Sequence, residues 1–249
     1  MAVINFRHTP VPSESNQRIR LSQMKRENWG FIRSFWLRLK SKLPIADVRF
    51  VHVPNVGELK YAREKFRDDV KDDRYYWSTL DEIERATPNG GATEIATSLV
   101  VFLKVWNRQY YRFHPAKIPT LPGELKILVE DHWTLIDNFR SRSLVTVSRG
   151  DHADVVKLFE SFADKLDPVG AAKALHPLAP NFFPLWDNSV ASGYGISVGS
   201  PGYCLFMVVT KQQVESVAGS LSYDLLTPSG SPLKILDEYN YCKYTRGWV

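Results

Sequence analysis

The stretch from residue 154 to residue 187 constrains the fold most. Within 154–166, Val155, Leu158, Phe159, Phe162 and Leu166 recur at three- and four-residue spacings, the apolar face of an amphipathic helix. The run Leu166-Asp167-Pro168-Val169-Gly170-Ala171-Ala172-Lys173-Ala174-Leu175-His176 then allows only a tight turn before a second helix that opens with small residues. A stiff loop follows, with Pro180, Phe182, Phe183, Pro184 and Trp186, and it ends on Asp187. Asp187 is the sole carboxylate between Asp167 and Glu215. An isolated carboxylate in such a setting either caps a short helix, accepting from the amides of Ser189 and Val190, or faces a pocket, and one side chain can do both.

Small residues and free amides at a helix N-terminus let a phosphate approach closely. Val169, Gly170, Ala171 and Ala172 are the candidates for that contact, and Lys173 adds a point charge. Contacts of this kind position DNA without reading its sequence. The alternative is an ordinary αα-hairpin, in which Gly170 only permits the turn and Ala171 and Ala172 only permit close packing.

The rest of the chain reads as mostly helical, with few and short strand signals. Residues 1–27 form a basic, partly extended arm, and 28–249 a single helical domain. Phe31, Phe35, Leu39 and Leu43 repeat every four residues and predict a helix over 28–43. Residues 48–53, β-branched and aromatic, are a short strand or an extended connection. A mixed-charge segment at 58–74 predicts an exposed helix, and a further helix spans 79–86 with Ser78 as its cap. Thr93 caps a long helix to about Tyr111 whose middle is apolar nearly all round, so it belongs at the centre of the core. Another helix covers 123–139, with Leu125, Leu128, Val129 and Ile136 inward. Ser200 with Pro201 at the first helical position starts a helix to about Ala218, stopped by Gly219. His176 and His132 read as packing residues with satisfied partners. The tail carries Tyr239, Tyr241, Lys243, Tyr244, Arg246 and Trp248, which either close the domain as a strand or wrap a partner.

A hydrophobic content of 44% over 249 residues is enough for a sizeable core. Net charge is +5, but nine Lys and Arg stand against two Glu in residues 1–42, which suits a polyanionic partner. Cys204 and Cys242 lack the spacing of a zinc or iron–sulfur site, so no metal or cofactor is expected there. Free thiols fit a reducing compartment such as the cytoplasm. The N-terminus lacks the pattern of a signal peptide, and no apolar run approaches the ~18 residues of a membrane span.

The order of these features resembles the helix-hairpin-helix DNA glycosylase superfamily. Leu166-Asp167-Pro168-Val169-Gly170 resembles its hairpin, and Leu185-Trp186-Asp187-Asn188-Ser189-Val190 the end of its catalytic loop. The resemblance implies a hairpin over 154–179, a catalytic loop over 180–190, and two helical subdomains with a cleft between them. It implies Asp187 as the catalytic aspartate, and Trp106, Asn107, Tyr110, Trp186 and Asn188 as the base pocket, with Tyr111 a further aromatic nearby. Pro168 stands where the family has its first glycine, and Ala172 where bifunctional members carry a Schiff-base lysine; Lys173 lies one position beyond. The implied activity is therefore a monofunctional N-glycosylase. It would act as a monomer on double-stranded DNA and release a damaged or modified base, a hypermodified phage base included. No cofactor is implied beyond a monovalent cation that the hairpin can hold. Two other readings stay open: a non-catalytic DNA-binding hairpin module, and a helical protein-interaction domain.

Overall fold

The structure, a computed structural model, describes residues 52–70, 73–87, 90–218 and 231–249. The arm over 1–27, the helix predicted for 28–43 and the stop at Gly219 lie outside them. All described residues belong to one unit, Val48–Val249.

The chain is mainly α. In order, its helices are α1 (Val56–Asp69), α2 (Asp73–Ala86), α3 (Ala92–Trp106), α4 (Arg108–Phe113), α5 (Leu121–Arg140), α6 (His152–Leu166), α7 (Pro168–Leu178), α8 (Asn188–Gly193), α9 (Ser200–Val217) and α10 (Pro232–Asn240). A π-helical turn, Tyr241–Arg246, continues α10. Among the described residues there is no strand, which corrects the expectation of a few short ones. Residues 52–54 take no regular structure and lead to an extended Asn55, whose side chain and Glu58 form a reciprocal capping box that starts α1. Nor is the tail a strand: it closes the domain as α10 and its π-helical turn.

Helix α3 carries Ile95, Ala96, Leu99, Phe102 and Leu103 into the core and packs against α2 and α5. It is not encased as its composition predicts, for Val101 is 44% exposed. It also stops at Trp106, where Asn107 breaks the predicted single helix and α4 begins. Helix α5 buries Leu125, Leu128, Val129 and Ile136 as expected.

Two charged segments differ from their reading. Helix α1 is not simply exposed, because Leu59, Ala62, Arg63 and Phe66 bury one face against α10. Helix α2 starts at Asp73, so Ser78 lies inside it rather than capping it. The cause is the stripe Tyr76, Thr79, Ile83 and Ala86, which extends the buried face a turn further back.

Helices α6 and α7 form the predicted hairpin and pack closely along its length. Asp167 at the turn has φ 101°, and among the described residues it is the non-glycine residue with a positive φ. That conformation costs on the order of 1–3 kcal/mol for such a residue. Its side chain compensates by accepting from the Gly170 amide at 2.5 Å, capping α7.

Candidate functional site

The loop after α7 is held by its own backbone carbonyls. Ser231 Oγ donates to Pro180 O (2.9 Å), the Leu144 amide to Asn181 O (2.7 Å) and Tyr203 Oη to Pro184 O (2.8 Å). His176 Nδ1 donates to Phe183 O (2.6 Å), which leaves Nε2 to accept from Tyr76 Oη (2.8 Å). The imidazole is fully buried, and burial pushes it down to about 3, so it works as a neutral packing group, as its sequence context predicts. The Trp186 indole N–H reaches Pro168 O at 3.3 Å and ties the loop to the hairpin. A loop with its polar groups engaged in this way presents its end residue in one place.

That end residue is Asp187. Its Oδ1 accepts from the Val190 amide at 2.8 Å, so the side chain caps α8. Its Oδ2 accepts from Thr245 Oγ1 at 3.3 Å, in the π-helical turn. The same residue lines a cavity of about 190 Å³ with Trp106, Lys173, Trp186, Asp237 and Tyr241, and apolar side chains from the end of α1, from α3, from the loop and from α8 complete the wall. Both the capping and the pocket-facing positions foreseen for Asp187 are therefore occupied at once.

Lys173 does not lie along the surface of α7. Its Nζ donates to Trp106 O at the end of α3, and the side chain forms part of the cavity wall. Burial lowers its pKa from the ordinary lysine value, with Asp187, Asp237 and Asp167 pulling it back. The hairpin residues expected to face phosphate are packed inside: Ala171 and Ala172 are 0% exposed, and Val169 is 9%. The Gly170 amide is taken by Asp167, whose carboxyl burial holds above its usual range. A Cβ at position 170 would stand 2.9 Å from Leu166 Cβ and 3.2 Å from both Asn107 Nδ2 and Asp167 Oδ1. Glycine here permits close packing, the role that the plain hairpin reading gives to Ala171 and Ala172.

Of the expected pocket residues, Trp106 and Trp186 line the cavity. Asn107 is buried against the hairpin turn beside Gly170, with its side-chain amide toward the Asp167 carboxyl. Tyr110 stacks on His114 at 4.4 Å, with Lys117 Nζ over its ring, and Tyr111 is buried. Asn188 is exposed on the first turn of α8.

Asp237 and Tyr241 are the polar cavity residues that the sequence reading missed. Behind Asp237 stands Lys234, fully buried, with Nζ 3.1 Å from Asp73 Oδ1, 3.4 Å from Glu238 Oε1 and 3.5 Å from Asp237 Oδ2. The same ammonium lies over the rings of Phe66, Tyr76 and Trp106 at 4.2, 5.1 and 5.1 Å. Burial opposes its charge, but Glu238, Asp237 and Asp73 together hold its pKa above the ordinary value. Arg63 Nη1 pairs with Glu238 Oε2 at 3.2 Å, closing a network between α1, α2 and α10. One sequence signal pointed to this helix: Pro232 stands at its first position after Ser231, whereas the same Ser-Pro pair in α9 sits one place further in, with Gly199 as the cap instead of Ser200.

Among the described residues, no group of three His, Cys, Asp or Glu is placed to hold a metal ion, and no helix is long and apolar enough to cross a membrane. No protein-family model, curated protein or solved structure matches the chain.

Proposed function

We propose that this protein is a DNA N-glycosylase built on a helix-hairpin-helix frame, with two helical subdomains and a cleft between them. One observation carries the reading. Asp187 and Lys173, delivered by the loop and by the second hairpin helix, meet in a cavity walled by Trp106 and Trp186. Breaking a base–sugar bond builds positive charge on the sugar, and a fixed carboxylate beside it stabilises that charge and orients the attacking water. The part-exposed Trp106 indole offers a face on which a base extruded from the stack can rest, and Trp186, buried among Phe159, Tyr203 and Phe206, backs the wall. At about 190 Å³ the cavity is little larger than a ~150 Å³ cavity that takes benzene, which favours a base of ordinary size over a bulky hypermodified one.

The surface beside the hairpin suits a duplex. From Glu94 to Glu124 the chain has no other carboxylate, and Lys104, Arg108, Arg112 and Lys165 are exposed there. Lys117 Nζ donates to Lys165 O at 3.1 Å and joins this segment to the hairpin. Phe113, 68% exposed, stands among these cations as an apolar wedge for a base step.

The test is incubation of the protein with duplexes carrying deaminated, oxidised or alkylated bases, followed by hot alkali. Wild-type protein produces alkali-labile breaks, and Asp187→Asn does not. Asparagine caps a helix as well as aspartate does, so the variant removes the charge and keeps the turn. Salt-dependent DNA binding without base release would leave a non-catalytic DNA-binding module instead, and absence of DNA binding a protein-interaction domain.

The position of Lys173 favours a second reading of the same chemistry. An amine that shares the cavity with Asp187, its pKa lowered by burial, would serve as a nucleophile for C1′ once it leaves Trp106 O. Borohydride then traps a covalent protein–DNA adduct that Lys173→Gln lacks, whereas a monofunctional enzyme gives no adduct.

A further inference from the structure

Two buried cations, Lys234 and Arg63, face three carboxyl groups, Asp73, Asp237 and Glu238. The three are not held equally. Asp73 has Lys234 at 3.1 Å and the Trp77 indole N–H at 2.9 Å. Glu238 has Arg63 at 3.2 Å and Lys234 at 3.4 Å. Among the described residues Asp237 has only the 3.5 Å approach of Lys234; its Oδ2, like Asp73 Oδ1, is buried with no hydrogen-bond partner, but Asp73 keeps the indole N–H on its other oxygen. Asp237 is also the member of the trio that lines the cavity, where it meets Asp187. A carboxyl left over by the cations and crowded by other carboxylates keeps its proton most readily of the set.

We propose that Asp237 is the proton donor of this cavity, protonating the departing base while Asp187 serves the sugar; the proposal rests on the glycosylase reading. As the C1′–N bond breaks, its electron pair passes into the base. The Asp237 hydroxyl gives its proton to an acceptor atom of that base, a ring nitrogen or an exocyclic oxygen. Water supplies the new C1′–O bond and yields a proton to Asp187, and exchange with solvent then resets both carboxyls. The substrate class follows: a neutral base with a lone-pair acceptor on the edge away from the sugar. A base that is already cationic needs no such donor.

The groups that bear on Asp237 come from every side. Lys234 and Glu238 lie on its own helix, Asp73 and Tyr76 on α2, Lys173 on α7 and Asp187 at the loop end. Tyr241 and Cys242 follow it in the π-helical turn. Burial pushes the Asp237 carboxyl up to about 6; Lys234 draws it down, while Glu238, Asp187 and Asp73 raise it. The acid form is therefore present up to near-neutral pH, and activity falls as the pH rises beyond that value.

The experiment compares wild type, Asp237→Asn and Asp237→Glu in single-turnover base release between pH 5 and 9. The duplexes carry either neutral deaminated or oxidised bases, or cationic N7-methylguanine. Asp237→Asn slows release of the neutral base about a hundredfold or more and spares the cationic base to within about threefold, and Asp237→Glu restores part of the loss. Tryptophan fluorescence of the free protein gives a readout independent of activity. Wild type shows a transition near pH 6 from Trp106 and Trp186, and a folded Asp237→Asn protein lacks it. Release of neutral base by Asp237→Asn at the wild-type rate, or release of the cationic base alone by wild type, overturns the proposal and leaves the glycosylase reading intact. Release of no base by wild-type protein overturns both.

Discussion

Single residues decide the chemistry of this interior. His176 and Asp237 are both buried and shifted, but in opposite senses for stability. His176 is pushed down to about 3, against an unfolded value of ~6.5. Between those values the unfolded chain binds a proton that the folded chain refuses, so stability falls as the pH drops through that window, by up to ~1.4 kcal/mol per unit. Asp237 is raised to about 6, so the folded chain keeps a proton that the unfolded one has lost, and its contribution is lost as the pH rises from ~4 toward 6. The two offset each other over their shared range. His176→Asn is therefore less stable than wild type at pH 7, because Tyr76 Oη and Phe183 O lose a partner, at ~1–3 kcal/mol each. The deficit shrinks as the pH falls toward 4, which urea unfolding at several pH values measures. The buried role of His176 was legible from its place on the second hairpin helix. Lys234 was not, because a lysine near Asp237 and Glu238 reads as an exposed helical ion pair until α1 and α2 are seen to cover it.

At the scale of elements, the hairpin and the loop were legible, since both depend on local spacing. The apolar face of 154–166, the short turn and the prolines of the loop each dictate their own backbone. What the hairpin does with its turn was not legible. Its N-terminal amide at Gly170 goes to Asp167, and Lys173 turns inward to Trp106 O, choices set by what α3 places opposite. Gly170→Ala tests that packing. Its Cβ meets Leu166 Cβ at 2.9 Å, within the helix pair itself, so thermal unfolding shows a loss of ~1–3 kcal/mol. Unchanged stability would mean that the hairpin turn has slack. Helix α10 escaped detection for a different reason. The aromatic and basic residues near the C-terminus alternate loosely like a strand, while the apolar face Leu233, Ile235, Leu236 and Tyr239 is short. Pro232 at the first helical position was the better guide.

Over the whole molecule, the mainly helical class followed from periodicity, whereas the expected short strands did not form among the described residues. Segments that looked exposed by charge, 58–74 above all, bury a face because the core is assembled from stripes rather than from whole helices. The proposed partner adds a prediction at this scale. Arg108 and Arg112 are exposed on α4, beside the hairpin turn. If both meet phosphate, replacing them with Gln lowers the slope of log K against log salt for duplex binding by about 2 and leaves the unfolding midpoint alone. An unchanged slope would move the duplex to another face.

Asp187, in the cavity it shares with Lys173 and the two indoles, is the centre of the proposed chemistry. The most direct measurement is single-turnover release of free base from modified duplex DNA, identified by mass, for wild type and Asp187→Asn at equal saturation. Wild type releases one class of base, and Asp187→Asn binds the same duplex but releases that base at least about a hundredfold more slowly. Release at the wild-type rate by a folded Asp187→Asn protein would contradict the account.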